Sequence, residues 1–127
     1  MKPVAMAARE GGASPRFDLH SHSRCSDGTL APAELVRHAR ACGVDVLALT
    51  DHDTTAGVAE AQTAAREAGM GLIPGVEISV SWAQRVVHIV GLGIDADGAG
   101  LRAGLSRLAE VRRERAERIA AKLAKCG

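Results

Sequence analysis

The sequence predicts an α/β fold of four mostly parallel strands with three helices. Short apolar runs of strand length alternate with amphipathic segments of helical length, joined by short connections. Residues 44–50 (VDVLALT) are apolar almost throughout, the mark of a strand buried on both faces. Polar clusters also follow directly after the strand patterns, where α/β folds place their ligands.

Taken in order, residues 17–22 (FDLHSH) form the first strand. Pro32 suits the first position of a helix, where its fixed φ and missing N–H do no harm. Glu34 then falls in the first turn and Gly43 ends the element. Residues 44–50 are the second strand. Thr54 or Thr55 is expected to cap a second helix that ends at Gly69. Residues 72–80, interrupted by Pro74-Gly75, give a third strand, and residues 86–91 (VVHIVG) a fourth. A long helix spans about residues 98–125. Its Leu101, Leu105, Leu108, Val111, Ile119 and Leu123 lie near helical spacing and are expected to pack in the core. Residues 1–15 (MKPVAMAAREGGASP) lack the apolar run of a signal peptide and read as a disordered leader, leaving 16–127 as one domain. Four strands do not close a barrel. Gly127 stands where a C-cap glycine would lead into another strand, so the chain looks cut short.

Composition excludes several classes. The 127 residues are 46% hydrophobic with one Trp, one Phe and no Tyr, so the core must be aliphatic, which argues against aromatic platforms for single-stranded nucleic acid but does not exclude nucleotides as substrates. A net charge of +1 supplies no general attraction to DNA or membranes. Eight basic against three acidic residues between Arg102 and Lys125 read first as a solvated helix face. Three cysteines, Cys25, Cys42 and Cys126, show no Cys-x-x-Cys spacing, and a reducing cytoplasm fits them best. No stretch reaches membrane-spanning length.

The chemistry concentrates in four places. His20 and His22 are two apart on a strand and project to one face, with Asp27 following in an Asp-Gly turn. Alone, a His-x-His pair is more often a surface feature. Two imidazoles with carboxylate oxygens suit zinc, iron or manganese. Thr50-Asp51-His52-Asp53-Thr54 comes next, directly after the buried run. His52 is assigned as a ligand, and Asp51, on the opposite side of the chain, as an outer partner that orients an imidazole. A helix N-cap role accounts for Asp53 and Thr54. Glu77, among Val76, Ile78 and Val80, needs a cation, either a metal or an arginine. His88 on its apolar strand is by itself more often a core residue, but its register matches the other candidates. His38, Glu60, Glu67, Asp95 and Asp97 receive no chemical role.

The segments FDLHSHSRCSDGTLAPAELVRHA, LALTDHDTTAGVAEA, LIPGVEISVSW and VHIVGLGID together resemble the polymerase and histidinol phosphatase (PHP) family of metal-dependent phosphoesterases. The motifs occur in that family's order and spacing. The likeness is strongest to the branch acting on nucleoside 3',5'-bisphosphates, a branch also linked to 5'-to-3' exonuclease activity on RNA. It implies the amino-terminal part of a distorted (βα)7 barrel with up to three divalent metals, commonly manganese in the family, with zinc or iron as alternatives. His20 and His22 would hold one metal, Asp27 and His52 a second, and Glu77 would bridge the first to a third bound also by His88. Arg112, Arg113 and Arg115 match where the branch contacts substrate phosphate. The resemblance implies a metal-activated water and no protein nucleophile. It also implies a nucleotide phosphate or RNA 5' end as substrate, with no membrane and no obligate protein partner. The family's further histidine and Asp-x-His pair are not in this sequence, which implies weak metal binding and slow turnover by this chain alone. Other readings are a histidinol-phosphate-type phosphatase and a non-catalytic PHP module of a larger protein.

Overall fold

The computed structural model describes residues 14–125. Most of the expected leader therefore lies outside the described residues. The elements are β1 (Phe17–Ser21), α1 (Pro32–Ala41), β2 (Val46–Leu49), α2 (Val58–Glu67), β3 (Gly71–Trp82), β4 (Arg85–Leu92) and α3 (Ala99–Leu123). This is the expected α/β class, with one four-stranded sheet in the order β1-β2-β3-β4 and three helices.

The first two crossovers are βαβ units, and β1, β2 and β3 run parallel. The β3–β4 connection differs. It is an antiparallel hairpin in which Trp82 pairs with Arg85, leaving only Ala83 and Gln84 in the turn. A two-residue loop cannot carry a parallel crossover. Both turn residues have positive φ, 46° and 63°, the double left-handed geometry that matches strand twist in tight hairpins. Such turns usually announce themselves as Asn-Gly, and Ala-Gln does not.

The core follows from alternation along β2, all four of whose residues are buried. Leu47 and Leu49 join Val36 and Ala39 of α1, Ala61, Ala64 and Ala65 of α2, and Met70 in one apolar cluster. Val46 and Ala48 are buried on the other face. The alanines let α1 and α2 lie close, and Glu60 of α2 ties them by accepting the Ala33 N–H at 3.0 Å. At α1 the Glu34 carboxylate accepts the Ala31 N–H at 2.9 Å, and Pro32 takes the first turn.

Pro74-Gly75 does not interrupt β3, which runs through both. Gly75 is required there by close approach. A Cβ at this position would meet Thr50 Cγ2 at 2.8 Å, the Leu49 carbonyl oxygen at 2.9 Å and the Gly91 carbonyl oxygen at 3.0 Å. The strand can thus pass between β2 and β4.

The helix starts bring one correction. α2 begins at Val58 behind Gly57, three residues later than a Thr54 cap would place it. Thr54 instead accepts the Ala56 N–H through Oγ1 at 3.2 Å, closing a small turn. Thr50 to Gly57 are thereby left to irregular backbone that serves the site.

The chain divides into two compact units, residues 1–96 and 97–127. The second consists, where described, of α3. Of its expected core stripe only Leu105 is buried, while Val111, Ile119 and Leu123 are 53%, 48% and 67% exposed. The spacing is helical, but spacing alone does not supply a surface to bury against. No described helix is long and apolar enough to cross a membrane.

Candidate metal centre

The site forms at the carboxyl ends of the parallel strands. His20 lies on β1 and His22 just beyond it, and His52 follows β2. Glu77 is central in β3 and faces His52 in an isolated parallel bridge. β1 pairs with β2 through a register shift between Asp18 and Ser21, an irregularity of the kind that re-aims side chains beside active sites. His20 and His22 consequently both reach the same carboxylate oxygen. Their Nε2 atoms stand 2.7 and 3.1 Å from Glu77 Oε2.

Four imidazoles form an arc around Glu77. Successive ring centroids are 5.0 Å apart from His20 to His22, 4.7 Å from His22 to His52 and 5.0 Å from His52 to His88. His52 Nε2 is 3.8 Å from Glu77 Oε2, and His88 Nδ1 is 3.5 Å from Oε1. Asp27 closes the other side, with Oδ1 3.2 Å from His22 Nδ1 and Oδ2 3.6 Å from His52 Nε2. Three overlapping groups result: His20, His22 and Glu77; His22, Asp27 and His52; and His52, Glu77 and His88. In each, the donor atoms lie within 4.8 Å of one another. All six residues singled out from the sequence meet here, and His22 and His52 are each shared between two groups.

The donor set fits divalent metal on two grounds. The Nδ1 atoms of His22 and His52 are buried without a hydrogen bond, His22 Nδ1 facing Asp27 at short range but outside hydrogen-bonding geometry. Buried ring nitrogens of that kind are costly unless something accepts or coordinates them. Glu77 is a buried carboxylate approached by imidazoles and, among the described residues, paired with no arginine, a nitrogen-and-oxygen set that suits manganese, iron or zinc. Burial alone would raise the Glu77 carboxyl. The hydrogen bond from His20, with the charges of His52, His20 and His22, outweighs it and holds the group below its ordinary value.

Asp51 requires a correction. Its fully buried carboxylate accepts the Ser23 N–H at 2.6 Å, the Ser23 hydroxyl at 2.6 Å and the Ser26 hydroxyl at 2.7 Å, and orients no imidazole. Alternation explains this, because Asp51 continues the Leu47 and Leu49 face of β2 while His52 takes the other. Asp51 therefore pins the loop that presents Asp27. The same loop is tight at Gly28, where a Cβ would fall 2.2 Å from the His22 carbonyl oxygen. The complete burial of Ser23 has no signal in residue type.

Asp53 was expected to cap a helix. It lies instead in left-handed backbone and accepts the Ser79 N–H through Oδ1 at 2.8 Å. Arg112, Arg113 and Arg115 are exposed on α3, in the other unit. His38 is exposed on α1, as expected.

Known proteins resemble this chain in sequence and in fold. Residues 18–124 match the PHP domain family. The chain is 52% identical over 112 residues to a 5'-3' exoribonuclease of Haemophilus influenzae, covering 88% of this chain and 41% of that protein. It is likewise 52% identical over 111 residues to a 3',5'-nucleoside bisphosphate phosphatase of Chromobacterium violaceum, covering 87% and 39%. Among solved structures, an amidohydrolase from Chromobacterium violaceum with bound sulfate and no metal superposes with a TM-score of 0.82 at 51% identity, over 88% of this chain and 39% of that one. A structure described as a metal-dependent phosphoesterase from Bifidobacterium adolescentis gives 0.81 at 33% identity, over 89% and 40%. The chain spans about two fifths of the length of the curated relatives it matches. With residues 18–124 matched and the histidine arc in place, the chain belongs to the PHP domain family.

Proposed function

We propose that this chain supplies six ligands of a divalent metal cluster in a phosphoric ester hydrolase that removes a phosphate monoester from a nucleotide. The 3'-phosphate of a nucleoside 3',5'-bisphosphate is the proposed target, in keeping with the name of the Chromobacterium violaceum relative. One observation carries the reading: a single buried carboxylate, Glu77, stands within 3.8 Å of nitrogens from four histidines.

In this reading His20 and His22 would hold a first ion with Glu77, Asp27 and His52 a second, and Glu77 with His88 a third. Manganese is the proposed metal, and zinc or iron would suit the same donors. Bound divalent ions supply an acidified water and polarise the phosphoryl oxygens. The protein's own groups contribute position and charge. Glu77, kept ionised by its histidines, provides a fixed anion between the first and third groups. Asp27, exposed at the rim, provides another. No side-chain nucleophile is needed, and two nearby hydroxyls are already engaged: Ser21 Oγ donates to the Ala48 carbonyl at 2.6 Å and Ser23 Oγ to Asp51. Arg112, Arg113 and Arg115 are proposed to clamp phosphate through paired hydrogen bonds. A cytoplasmic setting is proposed from the cysteine pattern.

The test uses the protein that carries this segment, supplied with manganese and a nucleoside 3',5'-bisphosphate. Phosphate release is expected, and its abolition in the double variant His20→Ala, His22→Ala. An unchanged rate in that variant would sink the assignment. The Haemophilus influenzae relative's name favours a second reading, removal of nucleotides from RNA 5' ends. A panel of bisphosphate, 5'-phosphorylated RNA and histidinol phosphate separates the substrates. Metal binding without hydrolysis of any of them would leave a non-catalytic module.

A further inference from the structure

Asp53 stands between two of the candidate ligands, yet none of the three metal groups includes it. It is buried, and its φ is 51°, in the left-handed region that L residues other than Asn and Asp seldom enter. α2 starts only at Val58, so no helix end requires this residue.

The hydrogen bonds around Asp53 extend a parallel ladder past the end of β2. The Glu77 N–H donates to the Asp51 carbonyl at 3.2 Å, and the Asp53 N–H donates to the Glu77 carbonyl at 2.9 Å. This is the alternation of a parallel pair in which His52 faces Glu77. The next rung would run from the Ser79 N–H to the Asp53 carbonyl. Instead the Ser79 N–H goes to Asp53 Oδ1 at 2.8 Å. The left-handed turn takes the backbone out of line, and the side chain fills the vacated place.

Both residues held this way bear on the site. Glu77 belongs to the first and third groups. Ser79 lies opposite His88 in the β3–β4 register, and its Oγ is 3.3 Å from His88 Nδ1. We propose that Asp53 is a positioning residue: its carboxylate replaces a missing backbone rung and so fixes Glu77 and, through Ser79, His88 against His52. The inference rests on the metal-centre reading above. What it requires is an acceptor at Oδ1 in a residue that tolerates positive φ. Asn meets both needs. Gly takes the backbone without strain but has no acceptor, and Ala has neither advantage.

The experiment compares the protein that carries this segment with its Asp53→Asn, Asp53→Gly and Asp53→Ala variants by two readouts. One is hydrogen exchange of the Ser79 amide by NMR, at a temperature where circular dichroism shows each variant folded. The other is manganese binding, followed by the electron paramagnetic resonance signal of the free ion. Asn is expected to keep both at the unsubstituted values. Gly is expected to speed Ser79 exchange about tenfold, the size of one net hydrogen bond. It should also weaken manganese binding about 10- to 100-fold, as loss of an outer partner does. Ala should follow Gly. A Gly variant indistinguishable from the unsubstituted chain overturns the proposal, because strain rather than the acceptor would then be what Asp53 manages. An Asn variant as impaired as Ala overturns it in favour of charge, and faster Ser79 exchange with unaltered manganese binding overturns the link to the site. If the unsubstituted protein that carries this segment binds no manganese, the metal-centre reading fails by itself, and the register claim stands or falls on Ser79 exchange.

Discussion

β2 and β4 each deliver one histidine to the same carboxylate, but they are built in opposite ways. β2 is central, buried on both faces and fixed by the cluster of Leu47 and Leu49 with two helices. β4 is an edge strand whose residues are nearly all exposed, held among the described residues by its ladder to β3. The histidines differ accordingly: the His52 side chain is 19% exposed and that of His88 43%. One flank of the candidate centre inherits its precision from the hydrophobic core. The other depends on a hairpin, whose register must be set by hydrogen bonds.

The largest effect should come from β2. Leu49→Ala removes a fully buried side chain from the cluster and is expected to cost about 2–5 kcal/mol in urea denaturation. Global unfolding and loss of manganese binding should then occur together. A loss under 1 kcal/mol would mean that β2 is not the anchor.

Glu77 joins the two flanks and comes second. Glu77→Gln removes the anion from among four imidazoles, so manganese affinity by calorimetric titration should fall by more than the roughly 10- to 100-fold of an outer partner. A fall confined to one ion, with the others retained, would assign the bridge to one flank only.

Acid gives a smaller effect. Because the charged imidazoles hold the Glu77 carboxyl below its ordinary 4.5, its ionised form stabilises the metal-free fold above that value while those imidazoles carry their protons. The contribution is lost as pH falls through the lowered folded value. Denaturation midpoints of the unsubstituted chain should therefore drop faster than those of Glu77→Gln between about pH 5 and the acid limit. Parallel profiles would show that the histidines do not stabilise this charge.

Smallest is a change on the outer face of β4. Ile89→Thr, at a position 54% exposed, should alter stability by no more than about 0.5 kcal/mol. A cost equal to that of Leu49→Ala would erase the contrast between the strands.

Much of the architecture was legible because β2 is an unbroken apolar run and Pro32 and Gly43 bracket α1 correctly. The candidate set was legible because His20, His22, Asp27, His52, Glu77 and His88 are chemically expensive residues standing in or directly after apolar strand patterns. What stayed hidden depends on geometry rather than type. Ala83-Gln84 carries no hairpin signature, so the direction of β4 could not be read. Asp51 and Asp53 flank His52 symmetrically in sequence, and only alternation of faces and a left-handed turn separate their tasks. The α3 stripe has the period of a packed helix, but period does not reveal whether a partner surface is present.

The hairpin tip has a consequence for engineering. Ala83 and Gln84 hold left-handed backbone without the residues that accept it readily, at a cost on the order of 1–2 kcal/mol per residue. That cost is stored at the end of the ladder remote from Glu77, beside the Trp82–Arg85 pair. The turn is therefore a reserve of thermal tolerance, open to resequencing with Asn-Gly while every histidine stays where it is.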